Sequence, residues 1–404
     1  MSVSTSPSSV SNTHTVVGIP TGDPTFEDEI DDRDAGLLHL RRGDLLALQG
    51  KWSQAESEYK KAIDSGGGLA ALRKLGDAQL QRRDVNGLQS TMRRMKGEGA
   101  KSEDLLLLDA QILLRTGELV RAKSLLENAA DSPQKHYASA LLALIEDRHT
   151  DAAQALKAVM AGWDPVLRTY AQTLQSAYDE FALFPESQEV HLLTLLSRAL
   201  AQVQECELAL PILTHVTKQQ DDYRDAWIVL GFCQLVSERT QESLTSLERA
   251  YALDPEKPEI QYFLGRAYID LKDHRNALTF LQYALQNGFE PQSEVRRIIA
   301  EEATEIGDMK IAVDQYRVLA ALPDAKPETG EKLVTLLIGM NQKQDAKTAA
   351  KEATLRWPTD AGVWNLLGWA HLELDEKAEA KVALEKALSL NPNLESAKER
   401  LRKL

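Results

Sequence analysis

The sequence predicts an all-α protein, a solenoid of about ten antiparallel helix pairs that ends in a C-terminal capping helix. Leu and Ala are the commonest residues and aromatic residues make up only 6% of the chain, which favours packed helices over sheets. Glycines and prolines recur at one spacing: Gly231 and Gly265 are 34 residues apart, and so are Pro358 and Pro392. A fixed period of roughly 20 to 50 residues is typical of repeat proteins, in which each unit packs on its neighbours.

A small residue near the start of the second helix of each pair traces the array. Such a residue lets the two helices approach closely, because a larger side chain would hold them apart. Successive positions are 30 to 35 residues apart except for one spacing of 57, and Leu88 is larger than the pattern favours. The ten positions are Ala55, Leu88, Ala122, Ala152, Ala209, Ser243, Ala277, Ala312, Ala346 and Ala380.

The units after Tyr223 carry further residues at fixed places. One has Trp227, Leu230, Gly231, Leu247, Ala250 and Pro255, the next has Leu264, Gly265, Tyr268, Ala277, Leu281 and Ala284, and the last has Trp364, Leu367, Gly368, Ala380, Leu384, Ala387 and Pro392. This pattern resembles the tetratricopeptide repeat family, whose units combine Trp-x2-Leu-Gly-x2-Tyr with later Ala and Pro residues. The resemblance covers roughly residues 36 to 392 and is stronger from Tyr223 onward. It implies a right-handed superhelix whose concave groove binds other proteins.

The spacing of 57 contains 23 residues more than one period. These residues predict an additional helix that begins at Asp164 and Pro165, because Asp can cap a helix and Pro suits its first turn. The helix is expected to end near Phe184 and Pro185, and its apolar stripe is Leu167, Tyr170, Leu174, Tyr178 and Phe181. One interpretation is a helix that packs in the groove or at the junction. The alternative is a boundary between two sub-arrays, with some bending there.

The predicted organisation has five parts. Residues 1–34 are a disordered, acidic and Ser-rich tail, 35–163 divergent repeats, 164–185 the extra helix, 186–393 C-terminal repeats and 394–404 the capping helix. The tail contains seven acidic residues and one basic residue, which gives it a net charge of −6. A solvated tail is one interpretation. A docking peptide is the other, because Val16–Pro20 is an apolar island in a polar segment.

The net charge of −14 argues against nucleic acid as a partner, because phosphate binding needs clustered Lys and Arg. It argues equally against anionic membrane surfaces. No stretch approaches the ~20 apolar residues of a membrane-spanning helix, and no Lys or Arg precedes Arg33 as a secretory signal would require. The cytoplasm is therefore the expected location. Cys206 and Cys233 are interpreted as two buried small side chains, since neither a disulfide framework nor a zinc-like spacing is present.

No catalytic site, cofactor or metal is predicted. The segment Gly97–Ser102 is superficially similar to a phosphate-binding loop, but Ala100 separates its glycine from its lysine and no strand precedes it. The eight histidines form no His-Glu-x-x-His pair for zinc. Cys206 and His215 are nine residues apart, which places them on different sides of a helix.

The resemblance implies that partners bind along the first helix of each pair. The positions expected to line the groove hold Ile228, Phe232, Tyr262, Phe263, Arg266 and Trp369. Further along the array they hold Arg297, Glu301, Glu305, Glu331, Lys332 and Thr335. The Lys/Asn/Arg clamp with which some family members grip a peptide carboxyl terminus has no counterpart, because these positions are mostly apolar or acidic. The predicted partner is an amphipathic or apolar segment, with Arg266 orienting an acidic group. The alternative is that the superhelix itself covers these residues.

The predicted function is a non-enzymatic scaffold or adaptor that binds a protein or peptide partner in the groove. The alternative is a chaperone-like or regulatory subunit that holds hydrophobic client segments. One stoichiometric partner would indicate a scaffold, whereas suppressed aggregation of many clients would indicate a chaperone. Neither nucleic-acid binding nor direct membrane insertion is expected, and self-association stays open.

Overall fold

The computed structural model of the protein describes residues 32–48, 51–184 and 186–404. Within these ranges it contains 22 α-helices and no β-strand, which confirms the all-α class. The proposed docking peptide at Val16–Pro20 lies outside the described residues. Helix α1 begins at Asp32, inside the range predicted as tail.

The helices follow one another in pairs joined by short links, with one unpaired helix in the middle and one at the end. They are α1 (Asp32–Leu48), α2 (Trp52–Asp64), α3 (Gly68–Gln81), α4 (Val85–Gly97), α5 (Ser102–Arg115), α6 (Leu119–Glu127), α7 (Pro133–Ile145), α8 (His149–Ala161), α9 (Pro165–Ala182), α10 (Glu189–Gln202), α11 (Cys206–Gln219), α12 (Arg224–Val236), α13 (Thr240–Leu253), α14 (Pro258–Asp270), α15 (His274–Gln286), α16 (Gln292–Glu305), α17 (Met309–Ala321), α18 (Pro327–Gly339), α19 (Lys343–Arg356), α20 (Ala361–Glu373), α21 (Lys377–Leu390) and α22 (Glu395–Leu401).

The small residues predicted from the sequence share one structural position. Each of the ten is the fourth residue of the second helix of its pair, and all ten side chains are buried. The glycines of the facing helices are needed for the same close packing. A Cβ atom added to Gly265 would lie 2.6 Å from Leu281 Cγ, and one added to Gly368 would lie 2.6 Å from Leu384 Cγ. These helix pairs therefore pack more closely than a side chain at the glycine allows.

In every pair from α3–α4 to α20–α21, the link contains a residue with left-handed backbone, two positions before the second helix. Lys272 and Asp375 hold this position with φ of 59°, and Gly117 and Gly307 hold it with φ of 77° and 79°. The conformation suits Gly and costs other residues roughly 1–2 kcal/mol. The sequence did not reveal this turn, because residues of several types occupy it.

The predicted extra helix is present as α9, which packs between α8 and α10. Its start is capped as expected: the Asp164 carboxylate accepts hydrogen bonds from the backbone N–H groups of Val166 and Leu167, both at 3.0 Å. Leu167 and Leu174 of the predicted stripe are buried in the core. α9 is thus a full member of the stack. A bend between sub-arrays at this place stays a prediction.

The helices form two compact units, one that ends at Gln79 and one that runs from Leu80 to Leu404. In the first unit, α1 packs on α2, and Gly43 lies against the ring of Tyr59. In the second unit, each helix packs mainly on its neighbours in sequence, and apolar clusters extend from pair to pair. The division into repeats 35–163 and 186–393 remains a prediction.

Cys206 and Cys233 are both buried, as expected, but a disulfide joins them between α11 and α12. Their Cα atoms are 4.9 Å apart, within the range that disulfides span. The bond was not predicted, because the spacing of two cysteines in a sequence does not reveal whether their helices bring the thiols together.

Candidate partner-binding face

Three of the predicted groove residues form a partly exposed apolar surface on two first helices that contact each other. Ile228 and Phe232 lie four residues apart on α12, which places them on one face of the helix. Phe263 lies on α14, and its ring centroid is 5.2 Å from that of Phe232. We call these three residues the apolar wall. Because their side chains are only half buried, they can contact the apolar side chains of a partner.

Tyr262 does not belong to the apolar wall, although the sequence predicted that it would. Its side chain is buried, with 6% of its surface exposed, and its ring stacks on Phe289 at a centroid distance of 4.2 Å. Its hydroxyl donates a hydrogen bond to Glu294 at 2.8 Å. Burial raises the pKa of Tyr262 above the ordinary tyrosine value, so the hydroxyl keeps its proton further into the alkaline range. Tyr262 is therefore a core residue, and the ring of Phe263 packs against it.

Arg266 lies one turn after Tyr262 on α14 and is partly exposed beside the apolar wall. It donates a hydrogen bond to the Tyr262 hydroxyl at 3.1 Å, and its guanidinium lies 6.0 Å from the centre of that ring. This contact orients the guanidinium but uses only one of its five N–H donors. Arg266 can therefore still meet an acidic group on a partner.

Trp369 lies in a different part of the array, on α20, and is partly exposed. Its indole N–H donates to Glu373 at 3.0 Å, and the Arg400 guanidinium of α22 lies 4.5 Å from its ring centre. Arg400 also donates to Asn365 at 2.7 Å, and burial lowers the pKa of Arg400. Trp369 packs against the apolar cluster that contains Leu333, whereas Phe263 packs against the clusters that contain Leu264 and Leu281. We therefore do not group Trp369 with the apolar wall.

Charged side chains follow the apolar wall on the next first helices, α16 and α18. Arg297 and Glu301 form an ion pair at 3.0 Å, and Lys332 approaches Glu301 at 3.5 Å. Lys332 also lies 5.5 Å above the ring centre of Tyr316. Burial, and secondarily Asp360, raises the pKa of Glu331. The first helices α16 and α18 therefore present polar side chains that form ion pairs, and the apolar wall is the surface suited to an apolar segment.

Two residues near this face were not found from the sequence. Phe289 lies in the link after α15, and Glu294 lies in the first turn of α16. Neither occupies a position that the repeat pattern singles out, so periodicity alone could not place them under Tyr262. An aromatic residue in a link is a weak signal that it packs on the preceding first helix.

The described ranges contain no group of three or more His, Cys, Asp and Glu side chains placed to hold a metal ion. None of their helices combines the length and the apolar character that crossing a membrane requires.

The geometry defines a class of protein, an all-α solenoid of stacked antiparallel helix pairs with partly exposed side chains along its first helices. Two family models, both described as tetratricopeptide repeat, match residues 235–301 and 361–394. These two segments are tetratricopeptide repeats, as the sequence pattern indicated. Among solved structures, it is similar to YrrB, described as a TPR protein with an unusual peptide-binding site. The two chains share 17% identity over 48% of this chain and 98% of YrrB, with a TM-score of 0.40.

The curated relatives are similar over part of their length. The peroxisomal targeting signal receptor of Kluyveromyces lactis is 26% identical over 175 residues, which are 43% of this chain and 31% of the receptor. The same receptor of Saccharomyces cerevisiae is 28% identical over 45% of this chain and 31% of the receptor. The BBSome complex member BBS4 of Bos taurus is 23% identical over 42% of this chain and 32% of that protein. The chain thus spans about a third of the length of these relatives.

Proposed function

We propose that the protein is a non-enzymatic scaffold or adaptor that binds a segment of a partner protein along the first helices α12 and α14. The observation that carries this proposal is the apolar wall, whose three apolar side chains remain partly exposed inside a tetratricopeptide repeat array. Exposed aromatic and aliphatic side chains of this kind act as anchors in protein interfaces. The names of the receptor relatives, which refer to recognition of a targeting signal, support a protein or peptide as the ligand.

The chemistry of the face favours an amphipathic or apolar segment that also carries an acidic group. The apolar wall would take the apolar side chains, and Arg266 would pair with a carboxylate beside them. The second candidate, a chaperone-like subunit for hydrophobic client segments, rests on the same exposed wall but needs no acidic group. Self-association through this wall would be a third use of it.

Affinity capture from the native cell tests the proposal, with the full chain as bait. The double variant Ile228→Ala/Phe232→Ala removes two side chains of the apolar wall. Its matched control is Tyr283→Ala, which removes an aromatic side chain that is 42% exposed on the second helix α15. Loss of aromatic anchors weakens binding by roughly 2 kcal/mol or more, about thirtyfold in affinity.

We expect the wild type and the control to capture one stoichiometric partner. The double variant should lose that partner while it still unfolds cooperatively, at a urea midpoint below that of the wild type because Ile228 and Phe232 are partly buried. Capture at full strength by the double variant would overturn the proposal. A chaperone-like role would appear instead as suppressed light scattering of several unrelated heat-denatured proteins at substoichiometric amounts.

The cytoplasm is the compartment we propose for this function. A reducing cytoplasm would keep Cys206 and Cys233 as two buried thiols, whereas an oxidising compartment would preserve the bond between them. Thiol alkylation of denatured protein from native cells, followed by mass spectrometry, distinguishes the two states.

A further inference from the structure

A buried ion pair joins two places that are far apart in the sequence. Arg115 at the end of α5 and Glu205 before α11 lie 2.8 Å apart, and their side chains are only 5% and 2% exposed. Gln111, one turn earlier on α5, donates a second hydrogen bond to Glu205 at 2.5 Å. The same Arg115 donates to the backbone carbonyls of Leu80 at 3.1 Å and Gln204 at 3.2 Å. Helices α6 to α10 lie between these partners in the chain.

The two residues that follow Glu205 make long-range links as well. Glu207, also 2% exposed, forms ion pairs with Arg83 and, at 3.4 Å, with Arg239. Cys206 between them is bonded to Cys233 of α12. We call Glu205–Glu207 the hub, because three consecutive residues hold α5, the link after α3, α12 and the link after α12.

The hub is better suited to fixing position than to adding stability. Burying two charges removes them from water, and a buried ion pair rarely stabilises a protein more than apolar side chains of similar size would. Breaking such a pair by removing one partner is strongly unfavourable, because a buried charge is left alone. A network of this kind therefore disfavours arrangements in which α5 and the start of α11 do not meet.

The hub also reaches the apolar wall. Cys233, its partner on α12, directly follows Phe232 in the chain. Arg239, the partner of Glu207, is the N-cap residue of α13 and so lies at the other end of the link after α12. The hub thus holds α12 through Cys233 and the link that follows α12 through Arg239, while α5 and residues 80–83 hold the hub itself.

We propose that the hub is a positioning device that couples the location of α5 to that of α12, and so sets where Phe232 stands. Glu205 fixes the start of α11 against α5, and Glu207 and Cys206 pass this position to α12. This coupling does not depend on the identity of a partner, because it is a property of the unbound chain.

Hydrogen–deuterium exchange of the full chain, read by mass spectrometry, tests this coupling. The samples are kept free of thiol reductant, so that both links through which the hub acts on α12, the Cys206–Cys233 bond and the Glu207–Arg239 pair, are present. Arg115→Met removes one charge of the buried pair. Its control is Glu180→Gln, which removes one charge of the exposed pair Glu180–Arg198, whose side chains are 43% and 49% exposed.

In Arg115→Met we expect amide exchange at least tenfold faster in α5, α11 and α12, and unchanged exchange in α20 and α21. The control should match the wild type everywhere. Faster exchange in α5 and α11 with wild-type protection in α12 would overturn the proposal, because the hub would then be a local contact only.

A second variant keeps the test decisive if Arg115→Met does not fold. Arg115→Met/Glu205→Met replaces both charges by apolar side chains and should restore folding. If the ion pair sets the position of α12, exchange in α12 stays faster than in the wild type in this folded double variant. Wild-type protection of α12 there would show that apolar packing suffices.

Discussion

Replacing Tyr262 should destabilise the protein far more than replacing its neighbour Phe263. Truncation of Tyr262 to Ala removes a buried ring stacked on Phe289 at 4.2 Å and leaves a cavity, which costs roughly 3–5 kcal/mol in free energy of unfolding. The conservative change Tyr262→Phe keeps the ring and removes the hydrogen bonds with Glu294 and Arg266. Because Glu294 and Arg266 are partly exposed and can bind water instead, that change should cost about 0.5–1.5 kcal/mol.

Urea unfolding followed by circular dichroism at 222 nm measures these differences, with Phe263→Ala as the comparison. Phe263 keeps part of its surface in water, so its removal should lower the urea midpoint less than Tyr262→Ala does. The order expected for the midpoints is wild type, Tyr262→Phe, Phe263→Ala and Tyr262→Ala, with the first two close together. A wild-type midpoint for Tyr262→Ala would show that the ring is not in the core. The sequence-based assignment of Tyr262 to the partner-binding groove would then have to be restored.

Three further outcomes follow from the structure. Gly265→Ala should lower the free energy of unfolding by about 1–3 kcal/mol, because the added methyl group overpacks against Leu281. Gly339→Ala should raise it by up to about 1 kcal/mol, because a Cβ at Gly339 would meet nothing within 4 Å. Equal urea midpoints for the two variants would contradict the close approach of Gly265 to Leu281. Fragments 1–163 and 186–404 should each melt at lower temperature than the full chain, because the cut leaves each charge of the Arg115–Glu205 pair alone; two cooperative melts at the temperature of the full chain would refute this. Stability should fall as the pH rises above about 10 and hold between 7 and 9, because the unfolded chain releases phenol protons at the ordinary tyrosine pKa while the folded chain retains them. The tyrosines whose pKa burial raises are Tyr59, Tyr137, Tyr178, Tyr223, Tyr262 and Tyr268. A urea midpoint at pH 11 equal to that at pH 8 would contradict the assignment.

Features that depend on local sequence were predicted well. The small residues such as Ala277 recur because every helix pair needs a close approach at the same place, and the structure puts each on the fourth residue of a second helix. The extra helix was found because Asp164 and Pro165 are start signals that act within one turn. Period, register and caps can be read from a sequence since their causes lie within a few residues along the chain.

The composition of the candidate site was predicted only in part. Ile228, Phe232 and Phe263 are partly exposed on first helices, as a binding surface requires, and their role in binding stays a prediction. Whether a first-helix residue faces solvent or the next unit also depends on the side chains of the link that follows the pair. The repeat spacing does not predict the identity of those side chains. Trp369 shows the same limit, because Arg400 of the capping helix covers its ring.

Sequence alone sufficed to predict that the chain forms stacked helix pairs and where the second helix of each pair lies, because close packing needs a small residue at the same place in nearly every repeat. The difference in exposure between the consecutive residues Tyr262 and Phe263 could be learned only from the three-dimensional fold, because the ring of Phe289 stacks on that of Tyr262. The fold also decided the meeting of Arg115 with Glu205, which are 90 residues apart. The physical reason is that burial of a side chain is a property of all the atoms around it, and most of those atoms come from elements that a local pattern cannot place.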